Sequence, residues 1–152
     1  MVRANPRRGR NRVHFLDAMN RRAIFTICTV ATALFLIVIG VLHGIVNVSS
    51  MSRALGRGEI PARLEISAIA NAAFSGAAMC MLGLLIFLAL PGLRAGSRQA
   101  HRLAVAIGLF LCIAGLASYL WMPTKPLVLI FLFFGALLAA PLLIWRRDFS
   151  NT

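Results

Sequence analysis

From Ala23 to Val46 the chain runs for twenty-four residues without a formally charged side chain, directly after the arginine pair Arg21 and Arg22. Wound as a helix at ~1.5 Å per residue, such a run covers roughly 36 Å, enough to cross a bilayer's ~30 Å hydrocarbon core with some tilt. It reads as a transmembrane helix. Three more apolar runs follow, at about 66–90, 103–121 and 126–145. The expected fold is therefore an all-α membrane protein, a four-transmembrane-helix antiparallel bundle over residues 23–147. Composition agrees: 60% hydrophobic residues in a chain of 152 leave too little polar surface to cover a water-soluble globule.

The segments between the runs are polar. Residues 1–22 form a basic cytoplasmic arm. Met1 to Arg12 holds five arginines, Pro6 and Gly9 with no apolar period, the composition of a disordered segment. Val13 to Arg22 has the three-residue apolar spacing (Val13, Leu16, Met19) of an interfacial helix. Residues 47–65 make the one sizeable loop, in which Ser49 to Leu55 could form a short helix terminated by Gly56 or Gly58, with Pro61 suited to the first turn of the next helix. Pro91-Gly92 stops the second span, Ser97 suits a helix N-cap, Thr124 could cap the fourth span, and 148–152 is a short cytoplasmic tail.

Charge sets the expected orientation. With the amino terminus inside, one side carries Arg3, Arg7, Arg8, Arg10, Arg12, Arg21, Arg22, Arg94, Arg98, Arg102, Arg146 and Arg147, and the other only Arg53, Arg57, Arg63 and Lys125. Twelve against four is the asymmetry of the positive-inside rule, so both termini are expected in the cytoplasm. The net charge of +12 has the same source, and its expected partner is a bilayer with anionic headgroups. Nucleic acid is not expected, because the basic arm lacks interleaved aromatics. The arginine- and alanine-rich, lysine-poor composition points to a bacterial inner membrane.

Small residues at helical spacing mark expected contact faces. Gly40 and Gly44 on the first span, Ala68, Ala72 and Gly76 on the second, and Gly108 and Gly115 on the third would let helices approach closely, within the chain, with another membrane subunit or with a second copy. On the first span, Thr29, Thr32, Leu36, Gly40, His43 and Asn47 step by three or four and should face the bundle. A second row on span two, Ser67, Asn71 and Ser75, should also face protein.

No acid or base falls in the middle third of any span, where a proton-coupled exporter would need a carboxylate. One polar cluster can be placed by depth: His43, Asn47, Glu65, Asn71 and Tyr119 at the outer end. It reads either as an outward-facing pocket for a ligand or headgroup, with Glu65 orienting His43, or as helix-end residues satisfying one another and interfacial water. A haem is disfavoured because His43 and His101 lie at opposite faces. Cys28, Cys80 and Cys112 all fall within spans, with no metal or redox spacing, although Cys80 and Cys112 share a depth. Neither cofactor nor metal nor catalytic constellation is expected.

In span number and loop lengths the chain is similar to small four-helix bacterial inner-membrane proteins, including those of the DoxX-like kind, an outline that brings no motif with it. The expected role is accordingly that of a non-enzymatic accessory, assembly or structural subunit. The alternative is a small-molecule or lipid binder or transporter that uses the outer polar cluster.

Overall fold

The structure, a computed structural model, describes the backbone of residues 6–59, 61 and 64–149; the side chains of 6–19, Glu65, Leu127, Arg147 and Asp148 lie outside that description. The described residues form four α-helices and no strand: α1 (Pro6–Gly56), α2 (Glu65–Arg94), α3 (Arg98–Trp121) and α4 (Leu129–Ile144). Two 3-10 turns, Pro126–Val128 and Arg146–Phe149, flank α4.

Helix α1 differs most from expectation. Its 51 residues make one helix of roughly 77 Å, where the sequence suggested a disordered arm, an interfacial helix, a span and, in the following loop, a separate short helix at Ser49–Leu55. Polarity ended the expected span at Val46, but polarity does not break a helix: no proline or glycine interrupts Asn47–Leu55. The helix stops where the backbone requires it. Gly58 takes φ +71°, a left-handed conformation open to glycine at little cost, and the Glu59 N–H turns back to the Ala54 carbonyl at 3.0 Å.

Pro91 does not stop α2, which continues to Arg94. A proline forfeits only its own N–H bond, here toward the Phe87 carbonyl, so one late in a helix can be carried. Gly96, at φ +80°, ends the helix instead, with its N–H on the Leu93 carbonyl at 3.1 Å and that of Ser97 on Gly92 at 2.8 Å. The Ser97 hydroxyl then accepts from the Ala100 N–H at 3.5 Å and opens α3, as its residue type suggests. After Met122 the chain turns on backbone bonds, Lys125 N–H to Met122 and Val128 N–H to Lys125, with Val128 rather than Thr124 at the start of α4.

Contacts run round the ring α1–α2–α3–α4–α1, with α1 against α2 and α3 against α4 the two extensive pairs. Gly40 lies by Cys80 and Gly83 by Ala33, so α1 and α2 are antiparallel; Gly108 lies by Ala139 and Gly115 by Leu132, so α3 and α4 are too. The core is thin and apolar: Ala33, Leu36, Ile86, Leu93, Ala104, Leu111, Leu138 and Leu142. Thr29 and Thr32 are buried with it, and each satisfies its hydroxyl by donating to the carbonyl four residues back, Phe25 at 2.6 Å and Cys28 at 2.9 Å.

Outside that core the surface is greasy. Ile27, Phe74, Leu88, Ile113, Leu120 and Ile144 are all more than 65% exposed, and no more than 33% of any long apolar window is buried within the protein. Water would penalise such a surface at about 25 cal/mol per Å² of apolar area, whereas hydrocarbon does not. Three helices, α1, α2 and α3, are long and apolar enough to cross a membrane. The fourth is apolar but has only 16 residues, or roughly 24 Å.

Candidate functional site

Two helix crossings hold the molecule together, and both are built from glycine. A Cβ placed on Gly76 would lie 2.6 Å from the Gly40 carbonyl oxygen and 2.8 Å from the Gly44 Cα, so only a residue without a side chain lets α1 and α2 meet there. A Cβ on Gly135 would lie 2.6 Å from the Gly108 carbonyl oxygen and 2.7 Å from the Cys112 N, which makes the same demand of α3 and α4. Gly40, Gly44, Gly76, Gly108 and Gly115 were all marked by spacing. Ala72 is buried and Ala68 half-buried on the same side of α2.

Gly83 and Gly135 stand outside the small-residue rows marked in the sequence, yet both carry the crossings. Gly83 follows Gly76 by seven residues and meets Ala33 and Ile37; Gly115 follows Gly108 by seven and meets Leu132. That shared heptad step was the available signal for Gly83.

The cysteines complete the parallel. Cys80 Sγ donates to the Ile37 carbonyl at 3.5 Å, and Cys112 Sγ to the Leu132 carbonyl at 3.7 Å. Cys80 lies four residues after Gly76 and Cys112 four after Gly108, while Ile37 lies three before Gly40 and Leu132 three before Gly135. At these positions α2 corresponds to α3 and α1 to α4, although α2 and α3 run in opposite directions. The two hairpins thus cross by the same local contacts, with α2 in the part of α3 and α1 in that of α4. The shared depth of Cys80 and Cys112 does not pair them; each thiol is committed to the backbone of its own hairpin.

The outer polar cluster is brought together only in part. His43 and Asn47, one turn apart on α1, share a hydrogen bond of 2.7 Å between Nε2 and the side-chain amide nitrogen, which donates. Asn71 is exposed on α2 and Tyr119 half-buried on α3, and neither has a side-chain hydrogen bond among the described residues. The Glu65 side chain lies outside the description. The row Ser67, Asn71 and Ser75 does not face protein as expected: Ser67 and Asn71 are exposed, and the two serines satisfy their hydroxyls by donating to the Leu64 and Ala72 carbonyls of their own helix.

At the opposite end, the one holding the α2–α3 turn, the carboxyl-terminal turn is tied down. His101 Nε2 donates to the Leu142 carbonyl at 3.0 Å, near the end of α4, where a helix has carbonyls without internal partners. Phe149 covers the imidazole at 4.6 Å and meets Phe25 edge-on at 5.9 Å. The same end gathers the exposed side chains of Arg21, Arg22, Arg94, Arg98, Arg102 and Arg146. Those of Arg7, Arg8, Arg10, Arg12 and Arg147 lie outside the description.

Between α2 and α3, where packing is thin, lies an apolar groove of about 660 Å³. Ala77 and Ala78 face Ala106 across it, and their short side chains leave the space; Phe74 and Phe110 bound one end. Among the described residues no group of three or more His, Cys, Asp or Glu side chains is placed to hold a metal. No protein-family model, curated protein or solved structure matches the chain, so what the site can do has to be argued from this geometry alone.

Proposed function

We propose that this is a multi-pass protein of a bacterial inner membrane, with four antiparallel crossings, both termini cytoplasmic, and a non-catalytic role as an accessory, assembly or structural subunit. The observation that carries it is the construction of the two hairpins. Each is locked by glycines where backbone touches backbone, a rigid scaffold, while the outward faces present large apolar side chains to lipid or to a partner's helices.

The fourth crossing has support of its own. Pro126–Val128, at ~2 Å per residue in a 3-10 turn, adds roughly 6 Å to the 24 Å of α4 and reaches the hydrocarbon thickness. The arginine count supports the orientation, since the six described side chains at one end face only Arg53, Arg57 and Lys125 at the other. An accessory subunit should migrate with a larger assembly when extracted in mild detergent. A protein that runs only as a monomer after every gentle extraction contradicts that role.

A second reading, a binder of lipid or another apolar small molecule, is favoured by the α2–α3 groove. Its volume is within the ~300–1,000 Å³ typical of small-molecule pockets. The outer cluster supports this reading less, because only His43 and Asn47 among its described side chains are joined.

A further inference from the structure

We infer that the α2–α3 groove is a specific site for one anionic phospholipid of the leaflet nearest the chain termini, its acyl chain between the helices and its phosphate on Arg98 and Arg102. This rests on the membrane insertion proposed above and names the ligand of the second reading.

The groove exists because alanine faces alanine. Ala77 and Ala78 on α2 and Ala106 on α3 leave a channel whose walls carry almost no polar atom, so its occupant must be a hydrocarbon. Phe74 and Phe110, 76% and 56% exposed, flank it toward the far leaflet, and its other end runs toward the turn where α2 and α3 join. There the charge changes abruptly. Arg102 precedes Ala106 by one helical turn, about 6 Å along the axis, and Arg98 precedes it by two. Arg94 is the last residue of α2, at the same end of the molecule.

All three guanidiniums are exposed, and none pairs with an acid among the described residues. A hydrocarbon slot ending a turn or two from unpaired arginines complements a phospholipid, with tail and head at the right separation. Arginine is the residue suited to the head, since its planar fork takes two phosphate oxygens at once. An anionic lipid adds Coulomb attraction that a zwitterionic lipid with the same tails lacks.

The test uses the purified full chain in detergent, stripped of lipid and titrated with phosphatidylglycerol or with phosphatidylcholine of identical acyl chains. Retained lipid is counted by native mass spectrometry. The expected result is one phosphatidylglycerol held about tenfold more tightly than phosphatidylcholine, and an Arg98→Gln, Arg102→Gln pair that removes most of that preference. Filling the slot with Ala78→Phe and Ala106→Phe should abolish retention of both lipids while the lipid-free melting temperature stays within a few degrees. Should that variant unfold, a photoreactive side chain at position 78 of the otherwise native protein decides the matter, and crosslinking to phosphatidylglycerol is expected. Equal retention of the two lipids, retention unaffected by the filled slot, a position-78 crosslink to a second copy, or no crosslink overturns the assignment. Protein that remains dissolved without detergent would instead overturn membrane insertion itself, a separate failure.

Discussion

Gly40 and Gly76 can face each other only because neither carries a side chain, and neighbouring glycines differ sharply in how much room they have. A methyl on Gly76 would meet backbone atoms of Gly40 and Gly44 at 2.6–2.8 Å, and backbone cannot swing aside. Gly76→Ala should therefore destabilise the detergent-solubilised protein by about 1–3 kcal/mol, read as a lower melting temperature. Gly44→Ala meets only the Gly76 Cα, at 3.8 Å, and gains helix propensity, so it should change stability by less than about 0.5 kcal/mol. Equal losses at the two positions would show that α1 and α2 do not cross in this register. At the far end of α1 the Arg57–Glu59 pair, with Nη2 to Oε2 at 3.0 Å, holds the Glu59 carboxyl below the usual glutamate range and raises Arg57. A depressed folded pKa gives stability that is present above the unfolded value and lost as pH falls through the folded one. The pair should thus loosen only on acidification below the ordinary glutamate range, seen by NMR titration of the Glu59 carboxyl. Both side chains are more than half exposed, so Glu59→Gln should leave the melting temperature unchanged.

The four elements were not equally legible in the sequence. The apolar runs gave the core of each helix because hydropathy decides what can sit in lipid. Their ends were misjudged where polarity or a lone proline stood in for a backbone signal, at the Val46–Asn47 step and at Pro91, whereas the helix at Ser49–Leu55 and its end at the glycines were legible. Spacing exposed the glycines of α1 and α3, but Gly135 sits alone in a run of Phe, Leu and Ala, and only the partner helix reveals what it accommodates. Asn71 and Tyr119 were grouped with His43 by depth, and depth says nothing of which way a helix is turned. The length of α1 carries its own prediction. Asn47–Gly56 continues the helix past the apolar run and packs little, so in a lipid nanodisc its amides should exchange orders of magnitude faster than those of Thr29–Gly44. Uniform protection through Gly56 would mean that bilayer or protein covers that end as well. At the other end, His101→Ala leaves the Leu142 carbonyl without its partner and uncovers Phe149, and should cost about 0.5–1.5 kcal/mol. Faster proteolysis of the carboxyl terminus is the readout.

Taken whole, the described residues make two glycine-locked hairpins joined along thinner seams. The α2–α3 groove lies on one of those seams. Such a scaffold depends on all four helices crossing the bilayer, α4 included. Substituted-cysteine labelling tests this most directly, in a background with Cys28, Cys80 and Cys112 replaced by Ala and an impermeant maleimide applied to intact cells. Lys125→Cys in the α3–α4 turn should label from outside, whereas Arg98→Cys and a cysteine at Thr152 should label only after the membrane is opened. Labelling of Thr152→Cys in intact cells, or Lys125→Cys protected along with Arg98→Cys, would contradict the four-crossing arrangement.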